Sequence, residues 1–130
     1  MRRLGQILVA LAALLSFASS FMYGALARRA VIGRLPGTLG SETLEGLNAA
    51  WLCGAAAMVT LGVLALSVLG GLGRGRGAER VPLVAGLFFL GYGVWGYVYR
   101  HFHPHFVGFM VIGALFIAGV CVTASNRVTS

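Results

Sequence analysis

Lysine and aspartate are absent from this chain of 130 residues. Its ten basic side chains are all arginine, and three glutamates (Glu42, Glu45 and Glu79) leave a formal net charge of +7. Charged residues amount to 10% of the sequence, where a soluble domain carries about a quarter. Too few are present to clothe a water-facing surface, so a soluble globular fold is excluded. The charges are also missing from particular places. No Asp, Glu, Lys, Arg or His interrupts any of the long apolar runs. That removes the intramembrane ionisable groups that mark proton relays and ion-coupled transport. Phosphate-binding loops, dinucleotide fingerprints and metalloprotease histidine pairs are missing as well. The serines of the first run have no base beside them, and the expectation is a protein that is not an enzyme.

What is present is hydrophobic: 58% of residues, gathered into four runs at 4–27, 47–70, 81–99 and 106–124. Each is near the ~20 residues that a helix rising 1.5 Å per residue needs to cross a hydrocarbon core. The expected fold is an all-α membrane protein, four transmembrane helices in an antiparallel bundle, with 1–130 forming a single transmembrane domain. The first run imitates a secretory signal, with Arg2-Arg3, an apolar centre and Ala18-Ser19-Ser20. Its apolar character nevertheless continues through Phe21-Met22-Tyr23 to Ala27. It also carries a helix-packing stripe of small residues, Ala12, Ser16, Ser20 and Gly24, at every fourth position, which lets another helix approach closely. It therefore reads as a retained span. Gly86, Gly91, Gly93 and Gly96 give the third run a similar character.

Between the runs, 28–46 is the longest polar connection, with Ser41 as expected N-cap of the second helix and Glu42 in its first turn. The segment 71–80 alternates glycine and arginine and reads as a flexible basic loop near lipid headgroups. Four spans place both termini and this loop on one side, with Arg2, Arg3, Arg74, Arg76, Arg80 and Arg127. The other side holds the 28–46 connection and the corner after the third run, with Arg28, Arg29, Arg34 and Arg100. Six arginines against four favour cytoplasmic termini in a multi-pass protein of the cell membrane. Cys53 and Cys121 then lie about a bilayer apart. A disulfide, with its usual Cα separation of ~5.5 Å, is excluded, and both read as small apolar fillers.

The segment 95–106 contains all three histidines of the chain, next to Trp95, Tyr97, Tyr99 and Arg100. Pro104 pushes His103 toward an extended conformation. In an extended segment His101, His103 and His105 share one side, and three neutral imidazoles with an open position suit Zn²⁺ or Cu²⁺. Set against that, aromatic and histidine side chains favour a membrane interface, Pro104 alone explains a helix break, and Arg100 repels a cation. The metal set His101, His103, His105 is therefore the weaker expectation, and no cofactor is specified. A faint echo links the two hairpins: Trp95-Gly96-x-x-x-Arg100 repeats the shape of Tyr23-Gly24-x-x-x-Arg28.

Two resemblances fail. Small multidrug exporters share this length and span count but rely on a membrane-embedded carboxylate, which is absent. Gly37-Thr38-Leu39 with Asn48 and Gly54 resembles part of the four-span fluoride channels, but the spacing to Asn48 differs and the third run lacks their Thr- and Phe-rich motif. The functional expectation is a non-enzymatic interaction or assembly component. Its partners are the lipid bilayer, a second copy of itself or another membrane protein, and not nucleic acid. The alternative is a metal-binding or small-solute transport protein using the polar face formed by 28–46 and 100–105.

Overall fold

The computed structural model describes residues 2–35, 37, 39–74, 77–102 and 104–128, with side chains described up to Ser125. Among these residues the chain is all-helical. Helix α1 (Arg2–Phe21) passes into a π-helical stretch (Met22–Ala27) and continues as α2 (Arg28–Ile32). Helix α3 (Ser41–Ser67) ends in a 3₁₀ turn at Leu69–Gly71. Helix α4 (Arg80–Tyr99) is followed by a 3₁₀ turn at Pro104–Phe106, which leads into α5 (Val107–Val128). Four continuous helical stretches are long and apolar enough to cross a membrane: Arg2–Ile32, Ser41–Gly71, Arg80–Tyr99 and Pro104–Ser125.

All four apolar runs are helical, but the first two helices overrun them. The first continues past Arg28-Arg29, and the second starts at Ser41 rather than near Leu47. Arginine and glutamate are good helix formers, so a run's loss of hydropathy does not stop the backbone. The polar connection shrinks accordingly to Gly33 through Gly40. Ser41 is not the N-cap. Gly40 holds that position with extended backbone angles, and no side chain caps the first turn. Glu42 does lie in that first turn. Pro82 sits, buried, in the first turn of α4, where a missing N–H costs nothing.

Small residues decide which helices meet. A Cβ on Gly5 would stand 2.6 Å from the Gly119 carbonyl oxygen and 2.5 Å from the Thr123 methyl. One on Gly113 would stand 2.5 Å from the backbone nitrogen of Leu90 and 2.7 Å from the Gly86 oxygen. One on Gly93 would stand 2.8 Å from the Met110 nitrogen. The first helix therefore lies backbone to backbone on the fourth, and the third on the fourth. Serines make the remaining close seam: Ser16 donates to the Met58 carbonyl and Ser20 to the Ala55 carbonyl, each at 2.8 Å. Along every seam, partner numbers fall as residue numbers rise. The spans thus pack in the order two, one, four, three, and α3 touches α4 only sparsely. Val9, Ala12 and Ala13, all fully buried, place the first helix at the centre of this order.

The end bearing Arg2 is tied down by the same helix. Arg2 Nε donates to the Leu72 carbonyl at 3.0 Å and Gln6 Nε2 to the Leu69 carbonyl at 2.8 Å. A Glu79 carboxylate oxygen accepts the Gly73 N–H at 2.9 Å. The described part of the glycine–arginine segment is thus anchored where the sequence suggested a free loop. Arg76 lies outside the described residues.

The seams give a direct test. Gly113→Ala forces a methyl carbon into backbone atoms that have no rotamer to escape by, at a cost of about 1–3 kcal/mol. Gly108→Ala on the same helix meets nothing within 4 Å and is expected to leave stability unchanged or slightly raised. Denaturation in mixed detergent followed by circular dichroism separates the two, and equal effects would contradict the seam.

Candidate functional site

The first helix changes pitch at Met22–Ala27. Ser16 and Ser20, in the last two turns before this stretch, hold it to α3. Gly24 then approaches so closely that a Cβ would stand 2.8 Å from that of Ala55. Single π turns leave carbonyls free to meet side chains, and they are frequent at functional positions. Here the Tyr23 carbonyl accepts the Trp51 indole N–H at 2.7 Å as well as the Arg28 backbone N–H. The Gly24 carbonyl accepts Arg28 Nε at 2.9 Å, and an Arg28 terminal nitrogen donates to the Asn48 side-chain oxygen at 2.5 Å. Arg28, expected as a span-end marker, thus bridges the first and second helices.

Around this pitch change the four helices bring their aromatic residues together. Tyr23 packs on Trp51 with ring centroids 5.0 Å apart and meets the edge of Phe109 at 6.5 Å. Tyr92 meets Phe109 at 5.2 Å and Phe106 at 6.0 Å. Its phenol lies beside that of Tyr23. Gly96 makes room for the Phe106 ring, against which a Cβ would collide. The rings enclose a cavity of about 450 Å³, lined by Tyr23, Ala27, Val31, Trp51, Tyr92, Arg100, His105 and Phe106. It contains the hallmarks of a small-molecule site: a concave, mainly apolar wall with a few convergent polar groups. Phe89 and Phe116 are fully buried and stacked 6.1 Å apart. A groove of about 490 Å³ at the opposite end, lined by Arg3, Gln6, Ile7, Ala10, Leu69 and Gly70, is more open and has no aromatic wall.

The histidine expectation meets a different backbone. His101 and Phe102 have left-handed angles (φ 52° and 66°), and Pro104–Phe106 is a 3₁₀ turn. At these residues the segment is not extended, so the one-sided alternation does not form there. Two hydrogen bonds give the reason: His101 N–H reaches the Val98 carbonyl at 3.2 Å and Phe102 N–H the Tyr97 carbonyl at 2.7 Å, which curls the chain over the end of α4. His103 lies outside the described residues. Among the described residues no three His, Cys, Asp or Glu side chains cluster as a metal site. His105 instead packs edge-on against Phe106 and Phe109, at 5.7 and 5.6 Å.

The small-residue stripe falls where helices meet. Ala12, Ser16 and Ser20 are buried, and Ser16, Ser20 and Gly24 abut α3 of the same chain. The two glycines of the hairpin echo also correspond: Gly24 is a closest-approach point to Ala55, and Gly96 to Phe106. Trp51, Tyr23 and Tyr92 were not singled out by sequence as site residues. For Tyr23 the signal was the arginine-closed aromatic-glycine pattern at 23–28, without a partner to assign.

Loss of Arg28 should loosen the outer end of the first helix. Hydrogen bonds to a charged group contribute roughly 1.5–3 kcal/mol, so Arg28→Met should speed amide exchange across residues 24–32 by about ten- to a hundredfold. Arg29→Met, at an exposed neighbour, should not. Hydrogen–deuterium exchange by mass spectrometry reads both.

No protein-family model, no curated protein and no solved structure matches this chain.

Proposed function

We propose that this is a multi-pass protein of the cell membrane, an antiparallel four-helix bundle that acts by binding a small molecule rather than by catalysis. The aromatic cavity at the Arg100 end carries the reading. It joins residues of all four spans and has Arg100 and His105 in its lining. The exposed surface supports the membrane setting. Leu4, Ile7, Leu14, Phe21, Val84 and Leu87 are each about half or more exposed, and lipid is the environment in which such helices have no exposed-patch liability. The excess of arginines on the side of Arg2 and Arg74 favours cytoplasmic termini under the positive-inside rule. The cavity then lies toward the opposite face of the membrane. The assembly reading leaned on the small-residue stripe, and that stripe is engaged by α3.

Two measurements test this. In a Cys53→Ala, Cys121→Ala background, cysteines placed at Glu42 and at Arg74 should react with an impermeant maleimide from opposite sides of sealed vesicles. Reaction from one side would contradict four crossings. For the binding role, Ala27→Trp should fill the cavity. Native mass spectrometry of protein released from its membrane should show an adduct on the wild type that the variant loses, while helicity and unfolding remain unchanged. Identical spectra would count against the cavity.

A further inference from the structure

We infer that the cavity takes an anionic lipid, with its phosphate-bearing headgroup at Arg100 and an apolar chain running along α4. This rests on the binding role proposed above and names the ligand's class. Three observations converge on it.

The first is the direction of access. Spans two and three are the sparsely touching pair, and the cavity is lined by Trp51 from one and Tyr92 from the other. In a bundle embedded in a bilayer, an opening between two adjacent spans faces hydrocarbon. A molecule that enters there is lipid-soluble.

The second is a track for its chain. Phe88, Tyr92, Trp95 and Tyr99 recur at spacings of four, three and four, which places them on one face of α4. Their rings contact in sequence, with centroids 6.4, 6.2 and 5.2 Å apart. Phe88, Trp95 and Tyr99 are exposed while Tyr92 turns half-buried into the cavity. From Tyr99 to Phe88 the row is roughly 16 Å long at 1.5 Å per residue, enough for a dozen methylenes laid alongside.

The third is charge. Arg100 follows directly on this row and lines the cavity, and Arg28 stands one residue beyond the cavity residue Ala27. A guanidinium presents a planar fork that matches phosphate oxygens. Neither Glu42 nor Glu45 is among the described residues lining the cavity. Tyr23, Trp51 and Tyr92 alone would suit a quaternary ammonium, but an arginine in the same wall repels one.

The full chain carrying Trp95→Phe leaves Trp51 as its one tryptophan and so as a reporter inside the cavity. It is reconstituted into nanodiscs with rising fractions of chain-brominated phosphatidylglycerol, and separately of chain-brominated phosphatidylcholine. Half-maximal quenching should need about fivefold less of the anionic lipid, the effect of one arginine near an anionic headgroup. Adding Arg100→Gln should bring that ratio close to one, while Arg100→Lys should keep most of it. Millimolar inorganic phosphate should not restore the fluorescence. Equal quenching by both lipids, stronger quenching by phosphatidylcholine, or relief by free phosphate would each overturn the assignment. If the native-mass adduct persists in these cases, only the ligand class fails. If the adduct too is absent, the binding role fails with it.

Discussion

Everything in this molecule follows from how closely its backbones can approach. Gly5 on Gly119, and Gly86 and Gly93 on the fourth helix, leave no space for a Cβ. At such distances main-chain atoms come into direct dispersion contact. These seams fix the packing order two, one, four, three. They also fix what is left over. With the fourth helix committed to the first and third, and the second to the first, spans two and three have little surface left to share. The sparse contact between them is thus a consequence of the seams.

The same economy explains the pitch change at Met22–Ala27. An unpaired peptide group away from water costs several kcal/mol. Trp51 and Arg28 supply the donors that a π turn requires, on the carbonyls of Tyr23 and Gly24. In return the turn presents Tyr23 to Trp51 and Phe109, and so to the aromatic wall. Structure and proposed function therefore share a residue: Trp51 both satisfies the irregular backbone and lines the cavity.

The four long helices were legible because apolar runs free of charge have few alternatives once they are twenty residues long. Their ends were less so. Hydropathy stops at Arg28-Arg29, while the helix, to which arginine is no obstacle, runs on to Ile32. Ser41 looked like a cap because its hydroxyl could accept an N–H, but Gly40 takes that place. The stripe at Ala12, Ser16, Ser20 and Gly24 announced a close contact without saying with what. The answer depends on Ala55 and Met58, 35 and 42 residues away from the serines they accept from. The cavity was illegible for the same reason. Tyr23, Trp51 and Tyr92 are unremarkable singly, and only the packing order brings them into one wall. The histidines drew attention by composition, yet His101 lies in a left-handed turn and His105 in an aromatic stack.

The central claim is that seams elsewhere hold spans two and three apart and so leave a lipid-accessible cavity between Trp51 and Tyr92. Solid-state NMR of the labelled protein in bilayers with isotopically distinct lipid chains measures this most directly. The account predicts cross-peaks from the Trp51 indole to the Tyr23 ring and to lipid chain methylenes, and from Tyr92 to Phe109 and to lipid chain methylenes. Direct Trp51–Tyr92 contacts with no lipid signal at either ring would show the spans closed upon each other and contradict it.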